Sequence, residues 1–328
     1  MNDPNIPGTG AGKTVSVVMA TYNGARYIRE QLDSIIRQTY PIMELLIQDD
    51  GSTDATPDIC RAYAQRFPFI KFTVNASNLG YNCNFRSLAM QAKGDFVAFS
   101  DQDDVWFEDK IAKQVAAIGD CDICFSDHLR GPDLAHSHRV SYKNCLERQL
   151  FLGIVGHSML LRRDFVQQES NWLDYIFFDW GLALHAHLGN GLAKVSEPLN
   201  LHRDHSGSVT AMQHSRYYTE SKRKTTYQPF LHGLSNYRKL QEKPAWKLLY
   251  SHLYEATGSP RFTLAHRLCH LLLRKDPLSL LRLCFLCMRH RDRIYPSEDT
   301  RGIRGMIRGW SFPFIFAYHC TLFNFEVG

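Results

Sequence analysis

Short apolar runs alternate with amphipathic stretches along the first hundred residues. Val15-Ser16-Val17-Val18-Met19-Ala20 is the β-branched kind of run that fills a buried parallel strand. Thr21-Tyr22-Asn23-Gly24 ends it with turn-forming residues. Tyr27, Ile28, Leu32, Ile35 and Ile36 recur at helical spacing and predict a helix that Tyr40-Pro41 closes. Glu44-Leu45-Leu46-Ile47-Gln48 predicts a second strand, stopping at Asp49-Asp50-Gly51-Ser52-Thr53-Asp54. A helix follows over about 56–67, a strand over Ile70–Val74, a helix from about Asn84 to Ala92, and a strand over Asp95–Ser100. This rhythm predicts an α/β, Rossmann-like fold: a doubly wound, mostly parallel sheet flanked by helices, with right-handed crossovers.

The texture changes beyond about residue 215. A polar stretch, Tyr217 to Lys224, gives way to helical spacing at roughly 228–240, 245–256, 261–274 and 277–290, separated by Pro244, Pro260 and Pro277. The segment Leu278–Arg289 is apolar almost all round, so it is either buried or lies in an interface. Arginines then crowd positions 289–308, followed by Trp310-Ser311-Phe312-Pro313-Phe314-Ile315-Phe316. Basic residues beside aromatic ones suit an anionic membrane surface; a bundle packed on the first domain, or a homodimer contact, suits the same pattern equally. The expected division is a flexible leader over 1–14, an α/β domain over 15–215 and a C-terminal helical region over 216–328.

Composition narrows the class. Hydrophobic residues make up 44% and charged residues 22% of 328, enough apolar content for a real core. A net charge of +5 does not call for nucleic acid as a partner. The nine cysteines form no disulfide-like framework, and the pairs Cys121/Cys124 and Cys284/Cys287 lack a second pair nearby for zinc, so free thiols in a reducing cytoplasm are expected. No basic start with an apolar h-region and no run of about 18 apolar residues is present, so neither a signal peptide nor a spanning helix is expected. Pro7-Gly8-Thr9-Gly10-Ala11-Gly12-Lys13-Thr14 imitates a phosphate-binding loop, but Pro7 occupies the place of the first glycine and a strand follows where a helix is required.

In an open α/β sheet the ligand sits beyond the carboxyl ends of the strands. Here those ends carry Thr21-Tyr22-Asn23, Asp49-Asp50-Gly51-Ser52 and Asp101-Gln102-Asp103-Asp104. Acids recurring at strand ends, with no basic partners in the same loops, suit a divalent cation that in turn grips a diphosphate.

These residues resemble the family-2 glycosyltransferases of GT-A fold. The resemblance rests on residues 15–24, on Asp49 to Asp54, on Asn78-Leu79-Gly80, and on Ser100-Asp101-Gln102-Asp103-Asp104-Val105-Trp106. It continues through Gly156-His157-Ser158-Met159-Leu160, Phe178-Asp179-Trp180 and His202-Arg203-Asp204-His205, and its finer pattern is similar to a rhamnosyltransferase-like branch. It implies a hexosyltransferase using a dTDP- or UDP-linked sugar, best matched by dTDP-L-rhamnose. The acceptor it implies is a surface-polysaccharide or polyprenyl-linked glycan, met in the cytoplasm or at the inner face of the cell membrane. The residues it implies for the donor are Thr21, Tyr22, Asn23, Asp50, Ser52, Asn78, Asp101, Gln102 and Trp180. Asp103 and His205, less readily His202, would hold Mg²⁺ or Mn²⁺; Asp104 would orient its neighbours; Asp179 would be the catalytic base.

Phe178 and Gly181 stand where many members of the branch have histidine and tryptophan, and His202 where many have tyrosine, which leaves the base in place but opens the identity of the acceptor and donor. Each residue also has a plainer role. Asp179 suits a helix cap, Asp50 an Asx-turn, and Asp103 and Asp104 caps for the next helix. His157, His185, His187 and His202 suit core or surface positions, and Trp106, Trp172 and Trp180 suit packing as well as sugar stacking. A UDP-hexose transferase, a sugar nucleotidyltransferase and a non-catalytic glycan-binding protein are the rival readings. The nucleotidyltransferase would want a glycine- and base-rich loop after the first strand, which Ala20-Thr21-Tyr22-Asn23-Gly24 is not.

Overall fold

The computed structural model describes residues 12–205, 228–295 and 300–322. The greater part of the expected leader and the polar stretch 217–224 lie outside the described residues. The first hundred residues form β1 (Val15–Thr21), α1 (Ile28–Ile36), β2 (Glu44–Asp49), α2 (Thr56–Arg66), β3 (Ile70–Val74), α3 (Tyr81–Gln91) and β4 (Phe96–Ser100). These four strands pair in parallel in the order β3-β2-β1-β4. β1 is buried on both faces: Val15, Val17 and Met19 meet α1 and α2, while Val18 meets α3. That burial explains why its sequence reads as a continuous apolar run rather than an alternating one.

The parallel pattern ends at β4. β5 (Val105–Trp106), α4 (Lys110–Ala117), β6 (Ile123–Gly131), β7 (His138–Val140), α5 (Leu146–Gln149), β8 (Met159–Arg162), α6 (Arg163–Val166), α7 (Phe178–Leu188) and β9 (Leu192–Arg203) follow. They extend the sheet as β4-β8-β6-β9-β5, with β7 beside β6. β8 runs antiparallel to both β4 and β6, and β9 is parallel to β6 and antiparallel to β5. The register positions the site. Thr21 stands opposite Asp49 and Met19 opposite Ser100, so the loops after β1, β2 and β4 emerge side by side. The far end of β9 pairs Leu201 with Val105, which lies just past the acids of 101–104. The chain thereby carries 202–205 back to that loop.

The C-terminal region is helical: α8 (Gln228–Gln241), α9 (Pro244–Ala256), α10 (Thr263–Leu273), α11 (Pro277–Arg289), α12 (Arg291–Ile294) and α13 (Gly302–Leu322). Pro244 and Pro277 occupy first-turn positions, where the missing N–H costs nothing, and Asp276 caps α11 by accepting from Ser279 N at 2.9 Å. These helices bury Trp246, Leu249, Tyr250 and Leu253 against Leu150, Phe151, Trp180 and Leu184 of the α/β part. Tyr250 adds a buried bond, its hydroxyl donating to Leu150 O at 2.7 Å. The arginine-rich stretch runs from the end of α11 through α12 into α13, and the aromatic residues after it lie in α13, with Pro313 inside that helix. No described helix is long and apolar enough to cross a membrane.

Candidate functional site

The loops after β1 and β2 are tied together by their own side chains. Asp49, fully buried, accepts from Thr21 Oγ1 (2.8 Å), Ser52 N (2.8 Å) and Ser52 Oγ (2.6 Å). Asn23, held at a positive φ of 48°, accepts from Thr53 N at its side-chain oxygen and donates its own N–H to Ser52 Oγ. Gln102 reaches across from the β4 loop and grips Tyr22 from both sides, accepting from Tyr22 N at 3.0 Å and donating to Tyr22 O at 2.9 Å. Gly24 leaves room for this clasp, because a Cβ there would overlap Gln102 Oε1 and push the amide aside. Asn23, Ser52 and Gln102 are therefore frame residues of the rim, whereas the Tyr22 side chain is exposed at it.

Asp50 is the hinge of the next loop. Its carboxylate accepts from Asn75 Nδ2 (2.8 Å), Leu79 N (2.8 Å) and Gly80 N (2.9 Å), and its carbonyl accepts from Asn78 Nδ2 (3.0 Å). The Asx-turn role read for Asp50 belongs to Asp49, whose oxygen takes the N–H groups of Gly51 and Ser52. Asp50 instead fixes the 75–80 loop that opens α3, and Asn78 serves that loop as well.

Asp101, Asp103 and Asp104 do not cap the following helix, whose N-cap is Asp109. They form two groups. Asp103 Oδ2 lies 2.7 Å from His205 Nε2. His205 packs against Tyr27 with the rings tilted by 44° and their centroids 4.5 Å apart. Asp101 and Asp104 gather with His157 and His202, one ligand atom from each lying within 4.8 Å of the others. Asp104 is fully enclosed: His202 Nδ1 is 3.3 Å from one oxygen, His157 Nδ1 3.4 Å from the other, and Asn200 Nδ2 donates to it at 3.2 Å. Arg203 N adds a fourth contact at 3.3 Å, while the Arg203 guanidinium bonds Asp103 O and Glu30.

Electrostatics make this a site in want of positive charge. Burial, with repulsion from Asp104 and Asp103, pushes the Asp101 carboxyl well above the usual carboxylate range. Burial also raises Asp104, although His202 opposes the shift. Burial works against a charged His202 ring, but Asp104 and Asp101 outweigh it and lift that ring to about 9. His157 is held neutral by burial and by His202, stacked on it at 4.7 Å, and its buried Nε2 has no hydrogen-bond partner. The hard carboxylate oxygens of this cluster are ligands that a Mg²⁺- or Mn²⁺-type ion accepts, and the neutral His157 ring adds an uncharged nitrogen beside them.

Asp179 lies in the first turn of α7 without capping it; the N-cap position is Phe177. Its carboxylate accepts from Gly156 N at 3.0 Å and Trp180 N at 2.8 Å. Burial raises its pKa to about 6, the two backbone bonds holding the rise in check. Tyr81, at the start of α3 beside the Asp50-bound loop, has its hydroxyl pKa raised by burial and then by both Asp179 and Asp101. Asp101 in turn feels Asp179. The three strand-end loops and the start of α7 thus border one region.

One expected donor residue is not brought there. Trp180 is buried in the core shared with the C-terminal helices and donates Nε1–H to Gln149 O at 2.6 Å, so its ring packs rather than presenting a face to a sugar. Trp106 and Trp172 are buried too. The sequence reading passed over Asn200, and gave His157 only a core or surface role and Arg203 none, although all three form the shell around Asp104. The signal for Asn200 was faint: one amide inside the apolar-alternating end of β9.

Residues 16–168 match the model of the Glycosyl transferase family 2 domain. The uncharacterized protein Rv1520 of Mycobacterium tuberculosis is 29% identical over 226 residues, 62% of this chain and 61% of that protein. The chain thus spans about three fifths of that relative's length. The dTDP-rhamnosyl transferase RfbG of Shigella flexneri is 40% identical over 102 residues, covering 30% of this chain and 35% of that one. Among solved structures, S. aureus TarS 1–349 in complex with UDP-GlcNAc superposes with a TM-score of 0.58 at 15% identity, covering 94% of this chain and 91% of that chain. The mannosyltransferase PcManGT from Pyrobaculum calidifontis in complex with GDP-Man and Mn²⁺ gives 0.51 at 17%, covering 97% and 90%. At these identities the structural likeness shows the fold, which is the GT-A fold with a C-terminal helical region.

Proposed function

We propose that this protein is an inverting, metal-dependent glycosyltransferase that moves a sugar from a nucleotide diphosphate onto a glycan. The observation that carries the reading is the gathering of Asp101 and Asp104 with His157 and His202, and of Asp103 with His205, around the loop after β4, with Asp179 near enough to act on the Asp101 carboxyl. The family 2 domain and the nucleotide-sugar complexes of TarS and PcManGT support it. Thr21, Tyr22, Asp50 and Asn78 would border the nucleotide base, and Asp101 the ribose. Asp103 and His205 would hold Mg²⁺ or Mn²⁺, with Asp104 fixed by His202, His157 and Asn200 behind them. When bound, the ion neutralises the diphosphate as its charge develops. Asp179 takes the proton of the acceptor hydroxyl. The acceptor oxygen then bonds to the anomeric carbon on the face opposite the breaking bond to the diphosphate, and a single displacement inverts the configuration.

The likeness to dTDP-rhamnosyl transferase RfbG favours dTDP-L-rhamnose as donor, and the TarS complex with UDP-GlcNAc keeps a UDP-hexose as the second reading. The acceptor in either case is a surface polysaccharide or polyprenyl-linked glycan, met at the inner face of the cell membrane. Donor hydrolysis across a panel of nucleotide sugars, with and without Mn²⁺, tests the reading.

A further inference from the structure

Helix α11 buries Leu283, Cys284, Leu286 and Cys287 and leaves a second apolar stripe uncovered. Leu278, Leu281, Arg282, Phe285 and Arg289 recur at spacings of three and four, all on the exposed side; Leu278 is 56% and Phe285 49% exposed. Beside the stripe lies a groove of about 820 Å³ between α9, α10 and α11. Arg267, Arg282, Arg289, His266, His270 and His290 line it, together with leucine and aromatic side chains, and no carboxylate does. None of the three arginines forms an ion pair among the described residues.

Helix α13 repeats the pattern. Ile303, Met306, Ile307 and Trp310 make one exposed stripe over its first turns, Ile303 being 77% exposed, with Arg301 and Arg304 also exposed. Gly309 lets this helix lie directly on the end of α11, since a Cβ there would come within 2.9 Å of Met288 Cα. Two helices in contact therefore each present apolar side chains interleaved with arginine that forms no ion pair among the described residues.

We propose that this face adsorbs to an anionic lipid leaflet. The groove arginines take headgroup phosphates, and Leu281, Phe285, Ile303, Ile307 and Trp310 enter the boundary between headgroups and acyl chains. A second copy of the chain fits less well, because a symmetric contact would set arginine against arginine with no carboxylate on either side. The proposal names the surface and lipid chemistry behind the membrane-facing acceptor of the reading above, but it needs no donor or turnover and so stands or falls separately.

Sedimentation of the full chain with vesicles of phosphatidylcholine, with and without phosphatidylglycerol, tests it. The wild type is expected to pellet only with the anionic vesicles, and less at high salt. Arg282→Glu/Arg289→Glu should weaken that partitioning at least about thirtyfold, and Phe285→Ser/Ile307→Ser should weaken it while donor hydrolysis in solution is unchanged in both variants. Binding that ignores phosphatidylglycerol, a charge-reversal variant that pellets like the wild type, or a wild-type dimer in light scattering that the serine variant makes monomeric would each overturn it.

Discussion

His205 Nε2 sits 2.7 Å from Asp103 Oδ2 although 102 positions of sequence separate them. The pairing of β9 with β5 creates the contact, by returning the chain to the loop that follows β4. If this pair holds the cation, Asp103→Ala and His205→Ala should each abolish the metal dependence of donor binding. Donor hydrolysis should fall about 100-fold or more. Thermal shift with donor, with and without Mn²⁺, separates this from a folding defect, because the variants should melt normally without ligand.

Asp179→Asn should keep metal-dependent donor binding and lose turnover by about 10²- to 10⁴-fold. The pH dependence follows from the raised pKa of about 6. The base form grows as pH rises through that value, so wild-type turnover should climb between about pH 5 and about pH 7. For stability the sign is opposite. The folded carboxyl binds its proton more tightly than the unfolded one, near 3.9, so this group's contribution to stability declines as pH rises from about 4 to about 6. Asp179→Asn should therefore melt higher than wild type at neutral pH, which differential scanning calorimetry measures.

Gly24→Ala should dislodge Gln102 from its clasp on Tyr22, because the new methyl takes the place of Oε1. A loss of about 1–3 kcal/mol is expected from the overpacking, with weaker donor binding as the rim loosens. Adding Gln102→Ala should recover part of the stability but not the binding, a coupling that a double-mutant cycle reads directly.

Much of this was legible in the sequence. β1, β2 and β4 were readable because each is a continuous buried run, β3 because its edge position still keeps an apolar alternation, and the helices because each shows one apolar face. The strand-end acids stood out in the sequence as carboxylates without basic partners, but their division was not legible: Asp49 and Asp50 tie loops, while Asp101 and Asp104 gather with two histidines. The antiparallel half was not legible either, since β5 has two residues and β9 mixes exposed with buried positions across an irregular register. The enclosure of Asp104 by His157, His202 and Asn200 was equally hidden: it depends on three elements meeting, and each residue alone has an ordinary core role. Trp180 misled because an aromatic next to a candidate base suits a sugar, and only the C-terminal helices that cover it reveal its packing role.

That shared core yields its own test. Trp246 is buried between the C-terminal helices and donates Nε1–H to Leu272 O at 3.0 Å. Trp246→Ala should cost about 3–5 kcal/mol, seen as a lower midpoint in chemical denaturation, while the metal dependence of donor binding in the folded fraction is retained.

The central claim is that carboxylates at one rim of the sheet bind a nucleotide diphosphate sugar through a divalent cation. Calorimetric titration of the protein with dTDP-rhamnose and UDP-hexoses, in Mn²⁺ and again in excess chelator, addresses it most directly. The account predicts saturable binding of one donor in Mn²⁺, lost in chelator and lost in Asp103→Ala. Binding that is unchanged by chelator and by Asp103→Ala, or no binding of any donor in Mn²⁺, would contradict it.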